Sequence, residues 1–215
     1  MSSVTRRSIW IALAALAALA IVFVGWRLLA GAPPDTQPEG AYVRVAERIS
    51  AADARGVFTL LDDDGKSACE RLWRARREAS TLVESTYPEP RADRPLDLGA
   101  ERAQLLESYR PIADAEDPAA VWVVLAAQRS WIAILRRDLS GVTKVDLDGD
   151  MAVIHTARGT QYPFAKRANG TWGLSLFTTE LVADAWRAER DLEVIRSASA
   201  DYARVPPPPP SSSSR

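Results

Sequence analysis

The sequence predicts an α+β fold: an N-terminal transmembrane helix, several helices packed on a four-stranded antiparallel meander, and a C-terminal helix. Three observations carry that expectation. The run from Ile9 to Trp26 holds no charged residue. The hydrophobic period shortens from helical to alternating at Val142. Turn pairs Asp148-Gly149, Arg158-Gly159 and Asn169-Gly170 then recur at intervals of ten and eleven residues.

The first element is the apolar run. Residues 9–30 read IWIALAALAALAIVFVGWRLLA, enough as a helix for about 30 Å of hydrocarbon. Trp10 and Trp26 are sixteen steps apart, about 24 Å along a helix, so one indole falls near each interface. Arg6, Arg7 and the amino terminus precede the run, whereas Arg27 after it is offset by Asp35 and Glu39. The positive-inside bias therefore predicts residues 1–8 in the cytoplasm, a span at 9–30, and all later residues outside. That is the address of a single-pass protein of a bacterial-type inner membrane. A cleaved signal is the alternative, since Ala30-Gly31-Ala32 has the type of a cleavage site and Thr5-Arg6-Arg7-Ser8-Ile9 resembles a twin-arginine start. Pro33 and Pro34 directly after that site oppose cleavage, which favours the anchor.

Composition excludes several classes. One Cys and one His rule out a Cys₄ or Cys₂His₂ zinc site, a disulfide framework and a Cys-x-x-Cys redox pair within one chain. The net charge of −1 argues against a nucleic-acid coat. Residues 1–30 hold three Arg and no acid, so the exported part carries −4 (24 basic against 28 acidic groups).

Residues 31–40 (GAPPDTQPEG) read as an extended linker, and the domain is expected over 41–204. Tyr42, Val45, Ile49 and Ala52 step as one helix that Gly56 is expected to end. A second helix follows through Ala68, Leu72, Ala75, Ala79, Leu82 and Thr86, capped by Asp63 or Asp64, with Ser67-x-x-Glu70 as a capping box. Tyr87-Pro88-Glu89-Pro90 ends it. A short helix is expected near Ala100–Tyr109. Asp117-Pro118 starts another that runs to Gly141, straight or kinked near Ser130.

Four strands of five to seven residues follow between Val142 and Phe177. Alternation puts Ala152, Ile154 and Thr156, then Tyr162 and Phe164, then Trp172, Leu174 and Leu176 on one face, which helices must cover. Leu181, Ala185, Ala188, Leu192, Ile195 and Tyr202 mark a last helix with Thr178 or Thr179 as cap; its narrow seam suits packing on another helix of the domain. Residues 205–215 (VPPPPPSSSSR) are expected to be a disordered Pro/Ser tail.

Gly149-Asp150-Met151-Ala152-Val153, Asn169-Gly170-Thr171-Trp172-Gly173-Leu174 and the earlier Ala54-Arg55-Gly56-Val57-Phe58-Thr59-Leu60-Leu61 resemble motifs of the nuclear-transport-factor-2-like α+β cones, especially their membrane-anchored or secreted bacterial versions. The resemblance spans about residues 41–177; the longer helical region and the helix after the sheet depart from it. It implies a cone whose lining would include Tyr162, Phe164 and Trp172, and, in the enzymes of that superfamily, an inward carboxylate or Asp-His pair.

No such constellation is legible here. His155 has the parity of the outer face, and no acid shares the inner one within the strands. Asp62-Asp63-Asp64-Gly65 and Asp146-x-Asp148-Gly149-Asp150 lack the first and twelfth acidic positions of a calcium loop. Cys69 has no general base in sight and reads as a half-buried small residue. Arg71, Arg74, Arg76 and Arg77 read as partners of Glu70, Glu78 and Glu84 on an exposed helix face. The sequence therefore predicts no catalysis, cofactor or metal. It predicts a non-catalytic binding or assembly module that is tethered by its first helix and meets an envelope protein. The alternatives are a small apolar ligand held in the cone and an enzyme of the same superfamily.

Overall fold

In the computed structural model the described residues are 33–89 and 98–204, and they form an α+β domain of seven helices and one four-stranded antiparallel sheet. The expected span at 9–30, with Arg6, Arg7, Trp10 and Trp26, and the tail at 205–215 lie outside the described residues. Among the described residues no single helix is long and apolar enough to cross a membrane.

Helix α1 (Pro38–Ser50) starts inside the stretch expected as linker, because Pro38 suits a first helical turn, where its missing N–H costs nothing. It stops sooner than expected. Ala52 takes a left-handed backbone, and the Asp53 carboxylate then accepts the Gly56 amide at 2.8 Å, starting a separate short helix α2 (Ala54–Thr59). Gly56 thus opens a helix rather than ending one. Helix α3 (Asp63–Thr86) is capped by Asp62, not by Asp63 or Asp64, and Ser67 lies within it. Helix α4 (Leu98–Ala113) is longer than expected and carries Pro111 in its last turn. Asp117 caps α5 (Pro118–Gln128) as its sequence implies, accepting from Ala120 at 2.8 Å. The chain then bends by 71° through left-handed Ser130 into α6 (Trp131–Asp138).

The meander is β1 (Val142–Asp148), β2 (Met151–Thr156), β3 (Gln161–Lys166) and β4 (Trp172–Leu174), in spatial order 1-2-3-4. The three turn glycines all have positive φ, 57° to 81°, where a side chain would be strained. Strand β4 is shorter than expected, because the chain leaves it for α7 (Thr178–Arg204). Register Ile154↔Tyr162 and Phe164↔Leu174 puts Ala152, Ile154, Thr156, Tyr162, Phe164, Trp172 and Leu174 on one buried face, whereas Leu176 lies past the end of β4 and is half-buried. Helix α1 covers part of that face, Tyr42 lying 5.2 Å from Tyr162 between ring centroids.

Helices α3 and α7 lie side by side and parallel. Asp62 meets Thr178, Arg76 meets Asp191, Glu78 meets Arg196 and Thr86 meets Ser199, in rising order along both. Small buried residues at Ala68, Ala75 and Ala79 on one helix, and Ala185 and Ala188 on the other, suit a close approach. Trp122, Trp131 and Phe177 form a second centre, with Trp131 and Phe177 stacked at 4.4 Å. Each fully buried large apolar side chain here contributes about 1.5–3 kcal/mol.

Candidate functional site

Tyr162, Phe164 and Trp172 do share the inner face, where all three are buried. Tyr162 packs on Tyr42, whose hydroxyl donates to the Ser140 carbonyl at 2.7 Å. Burial pushes the Tyr162 phenol up to about 12 and leaves its hydroxyl without a partner among the described residues. Trp172 donates from Nε1 to the Thr36 carbonyl at 3.2 Å. Tyr162, Phe164 and Trp172 line none of the open grooves found elsewhere among the described residues.

His155 is on the outer face, as its parity requires, with Nε2 2.8 Å from Asp146 on β1. Lys144 holds the same carboxylate at 2.7 Å and, with His155, keeps the Asp146 carboxyl below the usual range. Asp146 is exposed and His155 half-buried, and neither lines the grooves described on this domain. Cys69 is fully buried rather than half-buried. Burial, reinforced by the nearby Asp184 charge, raises its thiol to about 12, so almost no thiolate forms near neutral pH. Among the described residues no three acidic, histidine or cysteine side chains gather as a metal site.

The chemically distinctive surface is a groove of about 570 Å³ along α7, lined by Thr179, Val182, Ala183, Trp186, Arg187, Arg190 and Asp191, with Arg76 of α3 across it. Trp186 is 63% exposed, and the Arg71 guanidinium lies 5.9 Å from its ring centroid. Arg76 pairs with Asp191 at 2.8 Å and stacks over the Tyr109 ring at 4.5 Å. Among the described residues the buried Arg76 Nη1 has no hydrogen-bond acceptor, and the buried Arg71 Nε lies 3.7 Å from Glu189, beyond hydrogen-bond length. The basic stretch of α3 is thus not confined to pairs within its own helix: Arg74 reaches Glu70, but Arg71 and Arg76 turn toward Glu189 and Asp191 on α7.

Behind the groove, buried Asp184 binds both Arg187 and Arg129, and Arg129 also lies 5.0 Å over the Trp131 ring. Two guanidinium groups on one carboxylate compensate its removal from water and hold Arg187 at the groove wall. A planar cation-and-indole surface of this kind accepts carboxylates by paired N–H donation and apolar side chains by stacking.

The periodicity that found α7 passed over Trp186. Its buried stripe runs through Leu181, Ala185, Ala188, Leu192 and Ile195, and Trp186 lies off that stripe, on the side away from buried Asp184. That offset was the available signal. The chain matches no family model, curated protein or solved structure.

Proposed function

We propose that this chain is a single-pass, membrane-anchored protein whose extracytoplasmic α+β domain is a non-catalytic binding and assembly module of the cell envelope. The docking face is the α3–α7 groove, and the partner offers a short acidic segment with an apolar side chain for Trp186. The observation that carries this reading is a largely exposed indole with the Arg71 guanidinium beside it and Arg76, Arg187 and Arg190 in the same groove. An exposed tryptophan has no packing role to explain it, and Trp and Arg are the side chains that dominate binding energy at interfaces. The anchor rests on the uncharged run at 9–26 and the arginines Arg6 and Arg7 that precede it.

The test is site-specific photocrosslinking in intact membranes, with a photoreactive phenylalanine replacing the exposed Thr179 of the groove wall, so that Trp186 is kept. A single discrete adduct, lost when Arg190→Glu is added, supports the reading; no adduct under any growth condition sinks it. Sequencing the mature N-terminus checks the anchor, and a start at Pro33 would refute it.

A further inference from the structure

The two edges of the sheet differ. The β4 edge is occupied: Trp172 N–H donates to Asp35, Leu174 N–H to Leu60, and Asp62 N–H to Leu174, at 2.8–3.1 Å. Leu61 even forms a parallel bridge to Leu174. Among the described residues strand β1 (Val142–Asp148) pairs only with β2, so its far edge is open, with one irregularity in its register between Val142 and Lys144. The helical layer also stops short of it. Leu147 lies on the inner face opposite Ala152 yet is 63% exposed, while Ala152 is buried. An open edge with an uncovered apolar face is a template for another strand.

We propose that the occupant is a second copy of this chain, with β1 pairing antiparallel to β1 about a two-fold axis at Val145. The charges on β1 select both the occupant and the register. Antiparallel neighbours keep like faces opposite, so the axis must pass through a residue rather than between two. Centred on Lys144, the pairing sets two lysines face to face. Centred on Asp146, it opposes two aspartates. Centred on Leu147, it opposes Asp146 to Asp148 twice. Registers centred on Thr143 or Val142 engage three strand residues or fewer; of the longer ones only that centred on Val145 avoids every like-charge contact, and it puts Lys144 opposite Asp146 of the second copy on both sides of the axis. Both side chains reach solvent, at 65% and 48% exposure, and the contact exchanges the Lys144–Asp146 pair within one strand for two such pairs across the axis. The result is one eight-stranded sheet with both helical layers on the same side, and the bare inner face of β1 leaves space between them.

The experiment uses the full chain in detergent, with light scattering across a concentration series. Wild type is expected to dimerise. Lys144→Asp and Asp146→Lys each oppose like charges and should weaken self-association at least tenfold. Mixed in equal amounts, the two variants oppose unlike charges again and should form a mixed dimer as tight as wild type. Far-UV circular dichroism confirms that each variant folds, and Val145→Cys supplies a second readout, a disulfide-linked dimer under mild oxidation. A wild type that stays monomeric overturns the proposal. So does a dimer indifferent to both substitutions, or a mixture that does not re-associate. None of these results bears on the α7 groove, so the two readings fail separately.

Discussion

Thr178 donates its hydroxyl to Asp62 at 2.7 Å, joining the first residue of α7 to the residue that caps α3. Asp62 also accepts the Gly65 amide at 2.9 Å, so one buried carboxylate fixes where both long helices begin. Asp62→Ala should cost about 1–2 kcal/mol, read as a lower Tm, while Asp62→Asn keeps an acceptor and should cost far less. Burial raises the Asp62 carboxyl above its ordinary range. The folded state therefore binds the proton more tightly, and stability is lost as pH rises through that raised value. Asn carries no such loss, so its stability relative to wild type should improve between pH ~4 and pH ~7. Melts at both ends of that window decide it; a constant difference would rule out the linkage.

Asp184 is the second buried carboxylate that holds elements together. Asp184→Ala leaves Arg129 and Arg187 without their shared acceptor and should cost about 2 kcal/mol, reduced from the fully buried case because both arginines reach solvent. Urea unfolding measures this. A change below about 0.5 kcal/mol would show that the arginines re-pair with water at no loss.

Cys69 should resist alkylation. With its thiol raised to about 12 and no exposed surface, N-ethylmaleimide should not label the native protein at pH ~8, while urea should allow full labelling. Mass spectrometry reads the difference directly, and rapid native labelling would contradict the packing of α3 on α7.

Two glycines separate close approach from empty space. A Cβ on Gly173 would lie 2.6 Å from the Asp62 Cα, whereas one on Gly141 meets nothing within 4 Å. Gly173→Ala should therefore cost about 2–3 kcal/mol by forcing β4 away from the Leu61 bridge. Gly141→Ala should change stability by less than about 0.5 kcal/mol. Equal effects would mean that the β4 edge yields freely.

Trp186→Ala should leave stability nearly unchanged, since the indole contributes little buried area at 63% exposure, yet it should abolish capture of the groove's partner. A large fall in Tm would instead assign Trp186 to the fold.

The elements legible in the sequence were those set by local chemistry. Asp117-Pro118 opened a helix, and three glycines closed three turns, because each depends on neighbours in the chain. Position 62 was misread because three aspartates in a row offer the same side chain, and only the distant Thr178 decides between them. Ala52 and Ser130 adopt left-handed turns that residue type gives no reason to expect. The seam of α7 and the offset of Trp186 from it are legible in the sequence, but which helix α7 meets, and that the two run parallel, is not, because neither helix names its partner locally.

The same contact sets a timetable for the molecule's birth. Thr178 follows Asp62 by 116 positions, which at ~5–20 residues per second is roughly 6–23 s of synthesis. Throughout that interval the seam of α3, with Leu72, Ala75 and Ala79, has no α7 to rest against. A nascent chain held open for so long is a natural client for a chaperone that grips apolar helices, and it would be released when the last helix arrives.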